Sequence, residues 1–406
     1  MQHFVPPLTF YAKKMIDFQS IFSDKCIQEF NPYSQHVFDQ LARCHTAKMG
    51  VHRLRCNADN CAQEQYQFHN CGNRNCPNCG GLKRDQWIEN RKNELLPTPY
   101  YHLVFTLPHE FNDLIIRNRK LLFKLLFDAA SQTILNHSKM PEYLGSECGI
   151  TMVLHTWGQN LSFHPHVHCI VTGGGFDGQK WTNAKRLKNN FLFPEASLKK
   201  MYKAIFLKKI QELELEKGEL DFDEIINKTG HKKWNVYAKP PFGGPAQVVE
   251  YLGRYTHKIA ITKHRIVALT DTHITFKYKD YADGNKTKNM TLLRLEFLRR
   301  FEMHILPKRF TKIRHYGFLQ NHNKRVRLIE IRALLNLSPL KEVVKIPSEV
   351  RMLERFGIDV FLCPCCKTGR LETVSSLRYK KSQTQEFLEI EEIMAKRNKA
   401  SPFLME

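Results

Sequence analysis

Two histidines separated by one apolar residue are the clearest chemical signal in this sequence. His166 and His168 flank Val167 within HPHVHCIVTGGG, residues 164–175. Because successive side chains of a strand point to opposite faces, the two imidazoles share one face and Val167 takes the other. This spacing predicts a metal-binding histidine pair on one face of the strand and an apolar opposite face. Pro165 has no amide hydrogen, which predicts that the strand begins at or after that residue.

A second stretch carries two tyrosines at helical spacing. In GGPAQVVEYLGRYTHK, residues 243–258, Tyr251 and Tyr255 are four apart and therefore share one face of a predicted helix. A phenol with a pKa of about 10 is a weak nucleophile, but a divalent metal that polarises a phosphodiester would offset that weakness. The resulting phosphotyrosine conserves the bond energy, so a free 3′-OH can reverse the reaction on another strand. The two stretches together predict strand transfer rather than hydrolysis.

The sequence resembles the HUH-type (His-hydrophobe-His) single-strand endonucleases with two tyrosines. It is most similar to the rolling-circle transposases of the insertion-sequence family numbered ninety-one, and the resemblance covers nearly the whole chain. It implies that Tyr251 and Tyr255 hold two 5′-phosphotyrosine linkages in succession as one DNA strand passes from donor to target. The motifs that carry it are HPHVHCIV, YLGRYTHK, CGNRNCPNC, LLPTPYYHLVFTLPHE, LHTWGQNLSFHPH, EFLRRFEMHILPKRF and KIRHYGFL.

Two neutral imidazoles leave a divalent cation undercoordinated, so a side-chain oxygen near the preceding strand, residues 151–157, is expected to complete the site. In the broader HUH class a Glu or Gln shortly before the histidine pair has this role, which makes Gln159 the expected third ligand. His164 and Asn160 are the alternatives. The expected ion is Mg²⁺ or Mn²⁺, and mixed nitrogen and oxygen ligands suit manganese at least as well as magnesium.

Six of the 12 cysteines fall between Cys44 and Cys79. A chain without a secretion signal keeps its thiols reduced, so clustered cysteines indicate metal rather than disulfides. One CxxC pair and one wider pair together predict a tetrahedral thiolate site for structural Zn²⁺. A second ion is left open. The predicted ligands are Cys56, Cys61, Cys76 and Cys79, with Cys71 and His52 in reserve.

A CPCC turn near the C-terminus contains Cys363, Cys365 and Cys366. A turn of this kind resembles half of a zinc knuckle. No second cysteine pair follows it in the sequence. We therefore interpret the turn as either degenerate or completed by another chain.

The charge balance indicates a polyanionic partner. The chain has 62 Lys and Arg residues against 40 Asp and Glu residues, a formal net charge of +22. Aromatic residues alternate with basic ones in residues 294–318, a combination suited to unstacked bases. We expect DNA to bind mainly as single strands or hairpin transposon ends. The predicted DNA-binding residues are Arg254, Lys258, Arg299, Arg300 and Arg314.

The order of predicted elements indicates an α+β fold, in which an HUH endonuclease domain with a mainly antiparallel sheet flanked by helices follows a small zinc-binding domain. The predicted domains are a helical segment and cysteine-rich zinc-binding domain at 1–95, the nuclease-transposase domain at 96–320, and a basic C-terminal tail with the CPCC turn at 321–406. No apolar run is long enough to span a bilayer and no signal-peptide core is visible, so we expect a cytoplasmic, nucleoid-associated protein. The oligomeric state is left open.

Three other functions fit parts of the pattern. A replication initiator or relaxase would share the same chemistry, but the cysteine module and the RHYGF region favour a transposase. A non-catalytic zinc-containing DNA-binding protein would have no use for histidines and tyrosines together. A metal-dependent hydrolase would activate water instead, and the absence of a carboxylate cluster near the histidines in the sequence argues against it.

Overall fold

The computed structural model describes residues 18–23, 25–79, 81–185, 191–241, 247, 253, 259–341 and 346–377. Its helices and mostly antiparallel sheets confirm the predicted α+β class. Within the described part of the chain no helix has both the length and the apolar character needed to cross a membrane. The helices are α1 (Pro32–Arg43), α2 (Gly81–Asn93), α3 (Asn112–Arg117), α4 (Arg119–Lys139), α5 (Glu195–Gln211), α6 (Phe222–His231), α7 (Arg294–Glu302), α8 (Lys324–Leu334) and α9 (Ser348–Phe356).

The strands form three antiparallel sheets. The main sheet has the order β11-β4-β5-β3-β7, with β6 paired to β5, and the other two have the orders β10-β9-β8 and β12-β1-β2. The strands are β1 (Val51–Cys56), β2 (Glu64–Phe68), β3 (Tyr100–Thr106), β4 (Glu147–Trp157), β5 (Phe163–Phe176), β6 (Trp181–Asn183), β7 (Val236–Lys239), β8 (Ile266–Leu269), β9 (His273–Asp280), β10 (Lys286–Leu293), β11 (Ile313–Gly317) and β12 (Leu371–Leu377).

The histidine strand β5 lies between β4 and β3 in the main sheet. It begins at Phe163, so the prediction that it starts at or after Pro165 was wrong. The carbonyl of Pro165 accepts a hydrogen bond from the Leu107 amide at 3.3 Å, and the pairing of β4 with β5 shifts register between His155 and Trp157. An irregularity of this kind lets a strand include a proline that cannot donate to the ladder.

One face of the main sheet forms the largest apolar core. Val167, Cys169 and Val171 are fully buried there, which confirms that they share the face predicted from their alternation. Helices α4 and α5 cover this face with aliphatic and aromatic side chains, among them Leu126 and Tyr202. Strand alternation therefore places the odd-numbered residues of β5 in the core and its even-numbered histidines on the opposite face.

Helix α1 and the residues just before it pack on the small sheet β10-β9-β8 and on α7. Phe22 and Phe38 lie against Phe301, with ring centroids 5.1 and 6.1 Å from it. Phe297 and Phe276 extend the same cluster with centroids 5.9 Å apart. This second core joins the beginning of the chain to residues that lie about 270 positions later.

The third sheet joins the two ends of the described chain. Strand β12 pairs with β1 in an antiparallel register that runs from Val51 opposite Leu377 to Cys56 opposite Leu371. Strand β2 pairs with the other edge of β1. The end of the described chain thus contributes a strand to the cysteine-rich hairpin near the N-terminus.

Candidate functional site

Three histidines converge on the face of the main sheet that is turned away from the large core. The candidate metal-binding nitrogens of His155, His166 and His168 all lie within 4.8 Å of one another. His155 stands opposite His166 in the β4–β5 ladder, and Val153 stands opposite His168. The register of two neighbouring strands therefore assembles three imidazoles into a group that can ligate one divalent cation. We refer to these three residues as the histidine trio.

Hydrogen bonds fix the orientation of two of these rings. The Nδ1 of His166 donates to the carbonyl of His164 at 2.7 Å, which leaves Nε2 as its ligand atom. The Nδ1 of His168 lies 2.9 Å from Nε2 of His102 on β3, and the two rings are parallel within 5°. Burial lowers the pKa of His102 to about 4, so this partner is neutral at physiological pH. Outer partners of this kind orient metal-binding histidines.

The structure offers His155, rather than Gln159, as the third group beside the predicted pair. The Gln159 side chain lies in the turn after β4 and donates to the hydroxyl of Tyr281 at 2.9 Å. The carbonyl of Gln159 accepts from Arg265 as well. His155 is 3% exposed and lies within the strand near which a side-chain oxygen was expected as the third ligand, but no local motif marks it.

The two alternative ligands, Asn160 and His164, lie outside the histidine trio. The Asn160 side-chain oxygen accepts a hydrogen bond from the Ser162 amide at 3.1 Å, which closes the turn between β4 and β5. His164 has an exposed side chain whose ring centroid lies 5.2 Å from that of His166, and its carbonyl accepts the hydrogen bond that holds the His166 ring. His164 therefore contacts the trio through its backbone carbonyl and through its ring.

Tyr251, Tyr255, Arg254 and Lys258 lie outside the described residues. Gly253, which stands between the two tyrosines in the sequence, is described and buried. A Cβ atom at this position would lie 2.3 Å from Cδ1 of Ile88 on α2, so the backbone at Gly253 lies close against this side chain.

Helix α2 also covers the sheet face that bears the histidines. Trp87, the residue before Ile88, packs with Tyr100 and Ile170 in a small apolar cluster. Ile170 stands opposite His102 in the β3–β5 ladder and shares the face of His168, two residues before it. The backbone at Gly253 therefore rests on the helix that packs beside the histidine trio.

Four cysteines of the N-terminal region form one cluster, Cys44, Cys71, Cys76 and Cys79. The Sγ atom of Cys44 lies 3.4 Å from the Sγ atom of Cys79 and 3.5 Å from that of Cys76. The Sγ atoms of Cys71 and Cys79 lie 3.6 Å apart. A tetrahedral site with Zn–S bonds of about 2.3 Å has sulfur atoms about 3.8 Å apart, whereas a disulfide needs about 2.05 Å. Hydrogen bonds from the other three thiols lower the pKa of Cys44, which favours the thiolate that a metal binds.

The four predicted zinc ligands do not come together in one site. Cys76 and Cys79 belong to the cluster just described, whereas Cys56 and Cys61 lie with Cys363 and Cys366 from the end of the described chain. The length of the β1–β2 hairpin separates the two pairs. Strand β1 spans six residues, and at about 3.3 Å per residue its ends are about 17 Å apart. Cysteines at opposite ends of this hairpin cannot share an ion.

The two reserve ligands also have separate positions. Cys71 is a member of the N-terminal cluster. His52 lies on β1 and packs against His69 with ring centroids 4.4 Å apart. The CPCC turn was predicted to be degenerate or to need another chain, but in the structure its partner pair comes from the same chain, more than 300 residues earlier.

Arg74 connects the N-terminal cysteine cluster to the main domain. It stands between Cys71 and Cys76 in sequence, and its guanidinium donates to the carbonyls of Leu306, Pro307 and Phe310. These carbonyls belong to the connection between α7 and β11. The cluster is thus anchored on the segment that leads into the main sheet.

The described residues predicted to bind DNA have different surroundings. Arg299 is exposed on α7, while Arg300 pairs with Glu296 at 2.7 Å. The guanidinium of Arg314 lies over the rings of Phe127 at 4.5 Å and Phe310 at 5.1 Å. Arg314 faces the core because it stands opposite Met152 in the β11–β4 ladder, so its contacts are those of a packing residue.

Comparisons with known proteins match most of the chain to transposase families. Residues 149–327 match the protein family described as "Putative transposase", and residues 15–107 match the one described as "Transposase zinc-binding domain". The first range contains the histidine trio, and the second contains the N-terminal cysteine cluster.

Two curated proteins are similar over most of their length. "Putative transposase y4qJ" of Sinorhizobium fredii is 38% identical over 358 residues, which cover 84% of this chain and 88% of that protein. "Transposase for insertion sequence element IS801" of Pseudomonas savastanoi pv. phaseolicola is 30% identical over 344 residues, which cover 83% and 82%. No solved structure matches the chain.

Proposed function

Because this chain belongs to the IS91-type transposases that carry an N-terminal zinc-binding domain, we propose that it nicks and transfers single-stranded DNA through 5′-phosphotyrosine intermediates. The observation that carries this proposal is the histidine trio, which lies on the face of the main sheet opposite the large apolar core. The backbone at Gly253 supports it, because this residue stands between the two tyrosines in sequence and rests on α2 beside that face.

The histidine trio fits a divalent cation. Two of its rings have their outer nitrogens engaged, and His155 adds a third imidazole from the neighbouring strand. Three nitrogen donors suit Mn²⁺ better than Mg²⁺, which prefers oxygen ligands. When bound, such an ion polarises the scissile phosphate and stabilises the charge that develops on it.

The tyrosines supply the nucleophiles in this mechanism. The hydroxyl oxygen of one tyrosine forms a bond to the phosphorus as the bond from phosphorus to the 3′-oxygen breaks. The phenolic proton leaves to solvent, and the 3′-oxygen takes up a proton to become a free 3′-OH. The DNA 5′-phosphate then remains on the tyrosine until a 3′-OH attacks it and releases the phenol, so no nucleotide cofactor is consumed.

A nicking and strand-transfer assay tests the proposed function. Single-stranded oligonucleotides from the DNA that flanks this gene are incubated with the protein and Mn²⁺. We expect a cut that leaves a free 3′-OH and a protein-linked 5′ end, with intact duplex cut far less. Equal cleavage of duplex and single strand, or a cut with two unlinked ends, would contradict the proposal.

Arg299 and Arg314 allow DNA binding to be separated from packing. We expect Arg299→Ala to weaken single-stranded DNA binding about threefold to tenfold in low salt and to leave thermal stability unchanged, because an exposed cation contributes through phosphate contacts. Arg314→Ala removes a cation from two aromatic rings and should cost about 1–2 kcal/mol of stability. Fluorescence anisotropy and thermal unfolding of both variants check this. A reversed pattern would show that the two assignments are wrong.

His102 provides a test of the metal site that needs no DNA. We expect His102→Leu to weaken Mn²⁺ binding about 10- to 100-fold, because the ring of His168 would lose the partner that orients it. Calorimetric titration measures this affinity directly. His102→Gln, which keeps a polar side chain at that position, is expected to lose less. Unchanged affinity in His102→Leu would mean that His168 is oriented without this contact.

A further inference from the structure

The end of the described chain meets the N-terminal hairpin at a second cluster of four cysteines, Cys56, Cys61, Cys363 and Cys366. We propose that this cluster binds a zinc ion of its own, separate from the ion at the Cys44 cluster. We call it the clasp site, because it would join two parts of one chain that are about 300 residues apart in sequence. This proposal rests on the cluster geometry and holds whatever reaction the histidine trio performs.

The sulfur positions of the clasp site fit tetrahedral zinc. Cys56 and Cys366 have Sγ atoms 3.7 Å apart, as do Cys61 and Cys363. These separations match the edge of about 3.8 Å expected for four sulfurs around zinc and are far longer than a disulfide bond. Cys56 and Cys363 are buried, which shields the centre of the cluster from solvent.

Backbone amides point at the sulfurs from both halves of the clasp site. The amide of Ala58 donates to the sulfur of Cys56 at 3.5 Å, and the amide of Gly369 donates to the sulfur of Cys366 at 3.2 Å. Hydrogen bonds of this kind stabilise thiolates, and thiolates are the form of cysteine that binds metal. Each half of the cluster therefore has its own supporting turn.

The two halves fit closely at Gly369. A Cβ atom at this position would lie 2.4 Å from the Cys56 sulfur and 2.8 Å from Cβ of Ala58, so only glycine allows the approach. Asn57 joins the halves further: its amide donates to the carbonyl of Arg370 at 2.9 Å, and its side-chain oxygen accepts from the Arg370 amide at 2.8 Å. Close packing at Gly369 and hydrogen bonds between Asn57 and Arg370 thus hold the two cysteine pairs together.

The clasp site would hold a larger part of the chain in place. The adjoining strand β12 pairs along β1, and Arg355 of α9 forms an ion pair of 2.5 Å with Asp85 of α2. Arg351 donates to Gln86 on the same helix. Since α2 also contacts Gly253, an ion at the clasp site would fix the segment that braces the helix beside the histidine trio.

Zinc content of the full chain tests the proposal. We expect native mass spectrometry and elemental analysis to give two zinc ions per wild-type chain, and one in the Cys363→Ser, Cys366→Ser double variant. Cys365→Ser is the matched control, because this neighbouring thiol is exposed and outside the cluster, and it should keep two. The Cys44→Ser, Cys76→Ser variant should keep the clasp ion alone.

The wild-type count does not depend on how any variant folds. One zinc in wild-type protein that survives the Cys363→Ser, Cys366→Ser change would overturn the proposal, as would iron in place of the second zinc. Hydrogen exchange gives an independent result: amides of β12 should lose protection in that double variant and keep it in Cys365→Ser, while β5 stays protected in both. Retained hydrogen-exchange protection of β12 in the double variant would show that no ion at the clasp site holds this strand in place. Failure of DNA nicking would leave these outcomes unchanged.

Discussion

Metal-dependent cleavage is expected to fall about 1,000-fold or more when His166 and His168 are both changed to alanine. The double change removes two of the three imidazoles and leaves His155 as the remaining member of the trio. Stabilisation by a catalytic metal is worth several kcal/mol, and about 1.4 kcal/mol corresponds to a factor of ten in rate. Single-turnover nicking of an oligonucleotide at saturating Mn²⁺ measures the loss.

Single variants in the same region identify the third ligand. His155→Ala should weaken Mn²⁺ binding and cleavage strongly, whereas Gln159→Ala should retain both, because the Gln159 amide is bound to Tyr281. His164→Ala keeps the carbonyl that holds His166 and removes a neighbouring ring, so it tests whether this imidazole contributes to the site. A larger loss of Mn²⁺ affinity and cleavage in Gln159→Ala than in His155→Ala would support Gln159, the ligand predicted from the sequence, over His155.

Strand transfer should be abolished when Tyr251 and Tyr255 are both changed to phenylalanine. Phenylalanine keeps the ring and removes the nucleophilic oxygen, so a loss of transfer reports chemistry and not packing. In a helix the two positions differ by about 6 Å along the axis, which means that they cannot occupy one place relative to a fixed ion. We therefore expect one single variant to lose the first cut and the other to cut without completing transfer.

Tyr281→Phe is the control for the tyrosine variants. Its hydroxyl is bonded to Gln159, and its ring is exposed on the turn that follows β9. Covalent adducts and transferred product, separated on denaturing gels, should match the wild-type protein in this control. Full transfer activity in either Tyr251→Phe or Tyr255→Phe would reduce that residue to a structural role.

Local pattern was sufficient to predict the strand that carries the histidine pair. Alternation alone placed Val167 and Cys169 in the core, because one face of β5 is buried along its length. The α+β class and the transposase family expected from the motifs are confirmed. These features depend on residues close together in the sequence, where periodicity is informative.

The remaining ligands depend on pairing between distant segments. His155 enters the trio only because β4 pairs with β5 in a register that sets it opposite His166, and a lone histidine in a strand carries no motif. The cysteine pairs likewise divide according to which end of the β1–β2 hairpin they occupy, and Cys363 becomes a partner only through β12. Register and long-range strand pairing are tertiary properties that local spacing does not encode.

Mapping the amino acid that becomes linked to DNA tests the central claim most directly. Wild-type protein would be incubated with Mn²⁺ and a single-stranded substrate containing the cleavage site, then digested with protease and nuclease and analysed by mass spectrometry. The mechanism predicts a nucleotide attached through its 5′-phosphate to Tyr251 or Tyr255, formed only when the histidine trio is intact. Attachment to any other residue, or cleavage that leaves a free 5′-phosphate and no linked peptide, would contradict it.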